Sequence, residues 1–265
     1  MTGRAADRHQ HGQAGGVATY LSLSEEVPRG PLPAPQRALA IGAHPDDIEL
    51  GAGATLARWA RSGTALTLLV ATDGRAGTWS PTEDPAELAA RRAREASAAA
   101  GILGAGLRLL GIPDGHLHDA PLLAWRLALA IRAVRPEVVL VHDPVHASRI
   151  HPDHRALGEH ALEAIVLARE PALWHWLAPA HRPRLVALYE TPAPTHAEPI
   201  APADLTTKVR LLACHESQYA TSYGIGEEDD PIAVLSERVL TRATRDGALL
   251  AVEGPAELFR LLPDV

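Results

Sequence analysis

The chain predicts an α/β fold: an open, mostly parallel sheet with helices on both faces, of the Rossmann-like kind. Three observations carry that expectation. Apolar runs of five to eight residues, too short for helices, recur along the first two thirds of the chain. Segments with apolar residues at helical spacing lie between them, the alternation expected of βαβ units. The residues with chemical potential cluster just past the ends of the runs, where open α/β sheets gather their ligands.

Taken in order, residues 1–34 form a Gly/His/Pro-rich leader ending in Pro31-Leu32-Pro33-Ala34, read as loosely packed and apart from a single domain over 35–265. His9 and His11 lie in this leader, where histidines are usually solvated. Ala38-Leu39-Ala40-Ile41-Gly42 is the first strand, and Asp47 to Gly63 the first helix, with Pro45 suited to its first turn. Gly51 and Gly53 fall inside that helix, not at a strand-to-helix turn, so a dinucleotide fingerprint is not expected. Ala65 to Thr72 is the second strand, Glu87 to Leu103 the second helix and Leu122 to Val134 the third. Glu137-Val138-Val139-Leu140-Val141-His142 is the clearest β-branched strand, and Pro152 opens the helix after it. A further helix begins near Asp204 and carries His215 and Gln218.

Two short segments stand at strand ends: Ala43-His44-Pro45-Asp46-Asp47 and His151-Pro152-Asp153-His154. Residues three apart on a first helical turn reach a common point, so His44 with Asp47, and His151 with His154, each share a face. Asp46 and Asp153 are directed elsewhere. Histidine and carboxylate are the ligands zinc takes, and a spare carboxylate beside such a site is a ready base. Either motif alone is matched by a bland alternative, a helix cap or a chance His-x-x-His. Their pairing in matching contexts points to a metal-dependent hydrolase.

Composition bounds the remaining classes. At 265 residues and 46% hydrophobic, the chain can bury a substantial core. A net charge of −7 without a basic, aromatic-interleaved stripe argues against nucleic acid as a partner. The one cysteine, Cys214, excludes an intramolecular disulfide and a cysteine-rich metal cluster. With no long apolar span and no signal-peptide core, a soluble cytoplasmic protein is expected, of undetermined oligomeric state. No serine or cysteine sits in a recognisable nucleophile turn.

The two motifs, with Asp73-Gly74 and Gly77, Leu110-Gly111-Ile112-Pro113-Asp114-Gly115, and Lys208 through His215, Ser217 and Gln218, resemble the zinc-dependent N-acetylglucosaminyl deacetylases over residues 38 to 220. That family includes the LmbE-like enzymes of glycosylphosphatidylinositol, mycothiol, bacillithiol and glycopeptide-antibiotic metabolism. The resemblance implies that His44, Asp47 and His154 hold one zinc ion, with Fe²⁺ able to fill the same set. It implies that Asp46 is the general base and that His151 assists at the carbonyl oxygen or leaving amine. Arg92 and Asp114 match positions that contact the sugar in relatives, and His215 and Gln218 positions at the rim. Some relatives carry a tyrosine just before His-Pro-Asp-His; here Arg149-Ile150 stands there, and Arg149 either replaces that donor or pairs with an acidic neighbour. Glu49 is one position later than the family's glutamate, which leaves its role open.

Substrate choice is expected from Arg75 to Pro81, where Trp79 either stacks on a sugar or packs, and from Trp174-His175-Trp176, either a lid or ordinary packing. Glu227 to Asp230 reads as a solvated acidic loop. The expected reaction is removal of the N-acetyl group from a small-molecule amino-sugar conjugate. The tryptophan-rich loops and the alanine- and arginine-rich composition favour a teicoplanin-type glycopeptide pseudoaglycone, with a mycothiol- or bacillithiol-pathway substrate as the alternative. A zinc- or sugar-binding module without catalysis is the reading from a different class; Asp46 argues against it, since binding needs no base.

Overall fold

A computed structural model describes residues 30–145 and 151–265. Nearly all of the predicted leader, with His9 and His11, lies outside these residues, as do His146, Arg149 and Ile150. The described chain runs β1 (Arg37–Gly42), α1 (Asp47–Arg61), β2 (Ala65–Thr72), α2 (Pro85–Leu103), β3 (Gly106–Ile112), α3 (Leu123–Val134), β4 (Val138–His142), α4 (Pro152–Arg169), β5 (Leu185–Tyr189), β6 (His196–Pro199), α5 (Pro202–Ala213), α6 (Pro231–Leu249) and β7 (Ala256–Pro263).

The seven strands form one sheet in the order β3-β2-β1-β4-β5-β7-β6. The first five are mutually parallel, in register from Arg37 opposite Ala65 and Ala38 opposite Val138. Strand order reverses between β1 and β4, so the loops after these two strands diverge to opposite faces and leave a crevice between them. The two motifs sit on those loops. The α/β expectation therefore holds, and β7, antiparallel to both β5 and β6, extends the sheet beyond what the pattern predicted.

The continuous apolar runs are explained by burial on both faces. On β1, Leu39 and Ile41 join a core with α3 and α4, whereas Ala38 and Ala40 join the opposite core with α1, α2 and α5. The β4 residues Val139 and Val141 face the first core, and Val138 and Leu140 the second. Inside α1, a side chain at Gly51 would collide with the Tyr189 ring, whose hydroxyl donates to the Ile41 carbonyl at 2.7 Å. The glycine lets β5 and the helix meet at the site.

Helix starts mostly follow their caps. Asp84 accepts from the Ala86 and Glu87 amides, so α2 begins at Pro85, two residues before the expected start. Asp230, from the predicted acidic loop, caps α6 in the same way with Pro231 in its first turn, and Asp229 accepts from the Gly226 amide. His151 caps α4, with Pro152 as its first residue. The first motif differs: Pro45 precedes the cap, and Asp46 itself turns the chain at φ 114°. The helix near Asp204 ends at Ala213, so His215 and Gln218 follow it instead of riding on it.

Candidate metal centre and active-site cleft

The loops after β1, β2, β3 and β4, with residues 218–222, enclose a cleft of ≈ 450 Å³ lined by His44, Asp46, Asp47, Arg92, Asp114, His151, His154 and Gln218 among others. At its base, His44 Nδ1 lies 3.2 Å from His154 Nε2 and 3.2 Å from an Asp47 oxygen, and His154 Nε2 lies 3.3 Å from the other Asp47 oxygen. Donors on a tetrahedral zinc stand about 3.3–3.4 Å apart, given bonds of about 2.0–2.1 Å. Each of these contacts has that length, the two to Asp47 running through its two different oxygens. All three residues are buried.

Each ring is held from behind. His44 Nε2 lies 3.1 Å from Asp114 Oδ1 and 3.4 Å from Asp153 Oδ2, and His154 Nδ1 lies 3.5 Å from Glu190 Oε2. Protons on these outer nitrogens leave the inner ones with lone pairs, the arrangement that carboxylates impose on metal-binding histidines. His142, at the end of β4, sits between Asp47 at 3.2 Å and Glu190 at 3.3 Å and stacks on His154.

The electrostatics carry the same message. Burial alone would push the His44 imidazole down, but Asp47, Asp114 and Asp153 hold it well above its ordinary value. Burial likewise opposes His154, yet Asp47 and Glu190 raise it to about 9. Burial would raise Asp47, and the surrounding His154, His142 and His44 outweigh it and hold it well below the carboxylate range. Four carboxylates around three histidines thus draw positive charge into the centre. A divalent cation on this donor set answers that pull, so the residues present fit a metal.

Asp46 is a different kind of residue. Its left-handed backbone costs of order 1–3 kcal/mol, the kind of strain that gathers at functional sites. The turn sends its carboxylate away from the triangle, where Arg92 Nη2 donates to Oδ1 at 3.0 Å and the Tyr223 hydroxyl to Oδ2 at 3.2 Å. Burial pushes the Asp46 carboxyl up, Arg92 pulls it down and Asp47 adds to the rise; the net is upward. Tyr223 is itself driven well up by burial and by Asp46, and so remains a proton donor. His151, at the mouth, accepts the Asp153 amide on Nδ1 at 3.3 Å. Burial first, then the charges of His44 and His154, lower its pKa; the neutral ring therefore carries its proton on Nε2.

Several expected substrate contacts are otherwise engaged. Arg92 is buried and also donates to the Gly74 and Pro45 carbonyls. A side chain at Gly74 or Gly77 would strike this guanidinium, which accounts for the glycines after Asp73. Asp114 accepts from the Ala76 amide at 3.2 Å as well as facing His44. Gln218 bridges the Gly77 carbonyl at 3.0 Å and the Ser222 hydroxyl at 3.1 Å. His215 is not at the rim: it is fully buried, with Nε2 3.7 Å from Glu49, whose displaced position is thereby used. Burial lowers His215, and Glu49 and Asp46 more than reverse it. Arg75 pairs with Asp73 at 2.7 Å outside the cleft wall, and Trp79 is 77% exposed. Trp174 is buried against Trp125, ring centroids 4.5 Å apart, and so is packing and not lid. The reason is distance: α4 starts at the site and its 18 residues carry the chain about 27 Å away before Trp174 is reached.

Three participants, Asp153, Glu190 and Tyr223, were missed; a fourth, His142, is one of the histidines flanking the second motif, which the sequence left between supporting a ligand and packing. Asp153, expected to turn away, is buried and accepts the Gly115 amide at 2.7 Å and the Leu117 amide at 3.0 Å, tying the loop after β3 to α4. His142 and Glu190 are the residues at the ends of β4 and β5, so the strand-end rule applied to every strand finds both. Tyr223 carries no local signal.

The model of the GlcNAc-PI de-N-acetylase family, PIG-L, matches residues 39–165. The chain is 33% identical over 190 residues to a diacetylchitobiose deacetylase of Thermococcus kodakarensis, covering 69% of this chain and 70% of that protein. The chain belongs to this family of N-deacetylases. It is also 31% identical over 256 residues to a 1D-myo-inositol 2-acetamido-2-deoxy-alpha-D-glucopyranoside deacetylase of Nakamurella multipartita, covering 85% and 81% of the two chains. Among solved structures, the N,N'-diacetylchitobiose deacetylase of Pyrococcus horikoshii superposes with TM-score 0.75 at 27% identity, over 87% of this chain and 85% of that one. A teicoplanin deacetylase matches at TM-score 0.59 and 19% identity, over 86% and 98% of the chains, a likeness of fold alone. Among the described residues no helix is long and apolar enough to cross a membrane.

Proposed function

We propose that this family member hydrolyses the acetamide of an N-acetylglucosaminyl conjugate, releasing acetate and the free amine, with His44, Asp47 and His154 holding its metal. The observation that carries the reading is the strained, doubly held Asp46 carboxylate in the same cleft as the ligand triangle. Zinc bound there would polarise the acetamide carbonyl and lower the pKa of water to about 7. Asp46 takes the proton of the attacking water. Arg92 and Tyr223, on its two oxygens, fix its direction and leave it no freedom to swing onto the metal ligands. His151 offers its Nε2–H to the carbonyl oxygen as negative charge develops there, a contribution whose loss usually costs roughly 3–4 kcal/mol. The proton on Asp46 then passes to the departing nitrogen. Asp114, Glu190 and His142 orient the ligands.

The substrate reading moves from the glycopeptide pseudoaglycone to its alternative. Relatives above 30% identity act on GlcNAc–inositol and diacetylchitobiose, whereas the glycopeptide enzymes share fold only. Trp79 and Trp176, which favoured a bulky acceptor, are not among the residues of the cleft wall. A small amino-sugar conjugate is therefore preferred.

Mass spectrometry of GlcNAc–inositol, diacetylchitobiose and a glycopeptide pseudoaglycone, each incubated with zinc-loaded protein, tests this. Loss of acetyl from one of the first two is expected, and Asp46→Asn should retain zinc while losing about 10²- to 10⁴-fold in rate. An intact panel with zinc demonstrably bound, or an Asp46→Asn protein as active as its parent, overturns the reading.

A further inference from the structure

A second cavity, of ≈ 430 Å³, lies beside the catalytic cleft between α1, α5, α6 and the start of β7. Leu50 and Ser222 line both spaces. Leu50 is half-buried and Ser222 is exposed, so the divide is a low ridge and not a sealed wall. Tyr223 links the two directly, lining the second cavity while its hydroxyl meets Asp46. The floor is apolar, with Leu212, Leu235 and Val239 buried.

The charges lining it are uneven. Lys208 is paired with Glu257 at 2.6 Å, and Glu190 faces His142 at 3.3 Å. That leaves the guanidinium groups of Arg238, Arg242 and Arg245 against the single carboxylate of Asp246, which both Arg242 (3.5 Å) and Arg245 (3.2 Å) share. Arg238 donates to the Tyr223 and Gly224 carbonyls. In a chain of net charge −7, this is a local surplus of positive charge beside the reacting centre. The cavity is built almost wholly from residues beyond 190, whereas the family model matches 39–165.

We infer that this second cavity receives the aglycone of the substrate and selects one bearing an acidic group, carboxylate or phosphate, on a partly apolar frame. The inference rests on the deacetylase reading above. The acidic group meets Arg242 and Arg245, the apolar frame covers Leu235 and Val239, and the N-acetylglucosaminyl ring crosses the Leu50–Ser222 ridge into the cleft.

The probes are phenyl, 4-carboxyphenyl and 4-phosphonophenyl N-acetylglucosaminides, with amine release followed for the zinc-loaded full chain and for its R242Q/R245Q variant. KM for the two acidic glycosides should lie roughly tenfold below that of the phenyl glycoside, one charge-assisted contact's worth. The variant should abolish that difference and leave phenyl glycoside turnover unchanged. Equal KM values across the parent series, or an acid preference that survives in the variant, overturns the inference. The amine product of the 4-carboxyphenyl glycoside, titrated calorimetrically into both proteins, separates the two readings. Tighter binding to the parent than to the variant without turnover of any probe sustains the cavity assignment and removes the deacetylase reading; equal binding removes the assignment.

Discussion

Asp153 lets the energetics of the site be worked through in full. Its two oxygens accept the Gly115 and Leu117 amides at 2.7 and 3.0 Å, and Oδ2 lies 3.4 Å from His44 Nε2. Asp153→Asn keeps the shape but only one acceptor oxygen, so one buried backbone N–H faces an amide NH₂. An unsatisfied buried donor costs about 1–3 kcal/mol, and the bond that survives loses its charge assistance. A destabilisation of about 2–3 kcal/mol is expected, lowering Tm by roughly 5–10 °C for a chain of this size. The sign with pH is fixed too. Burial would raise the Asp153 carboxyl, but His44 and the two amides outweigh it and hold it at about 2. A depressed carboxyl contributes stability that is whole above its ordinary value and is lost as pH falls through the folded one. The gap between parent and variant should therefore be largest near neutrality and narrow as pH falls below about 4. Thermal unfolding by circular dichroism in the presence of a chelator measures both. An unchanged Tm at pH 7, or a gap that widens on acidification, refutes the reasoning.

Three further outcomes follow from the same contacts. Removing the Arg92 charge with Arg92→Gln takes away the group that lowers the Asp46 carboxyl, so the acid limb of the kcat/KM profile should move to higher pH; an unmoved limb would separate Asp46 from the rate. Gly77→Ala drives a methyl into the Arg92 guanidinium and should lower kcat while metal content, read by elemental analysis, stays at parent level. Lys208, the only lysine, lies 2.6 Å from Glu257, which also accepts the Ala54 and Thr55 amides. Lys208→Met leaves that carboxylate buried and unpaired, a loss of about 3–5 kcal/mol in denaturant unfolding that a K208M/E257Q double variant should partly restore.

Much of this protein was legible in one dimension because its signals are local. Strand runs buried on both faces are continuous in apolarity, and a proline or aspartate at a helix start announces itself. So the βα alternation, the two motifs and the place where they meet followed from residues 38–154 alone. The spacing of His44 with Asp47 and of His151 with His154 also belongs to the sequence, since one helical turn fixes it. What the sequence could not decide is whatever depends on the far partner of a side chain. Arg92, Asp114, His215 and Gln218 all belong to the site region, but only packing shows that the first holds Asp46, the second turns His44, the third lies beneath Glu49 and the fourth braces Gly77. Trp174 and Trp176 follow the metal motif in sequence yet lie a full helix length from it, because a helix converts sequence proximity into distance. Tyr223 reaches Asp46 across 177 positions. The candidate ligands were written in local spacing; the partners of Asp46 and the second cavity arise from long-range contacts, and those exist only once the sheet has brought distant segments together.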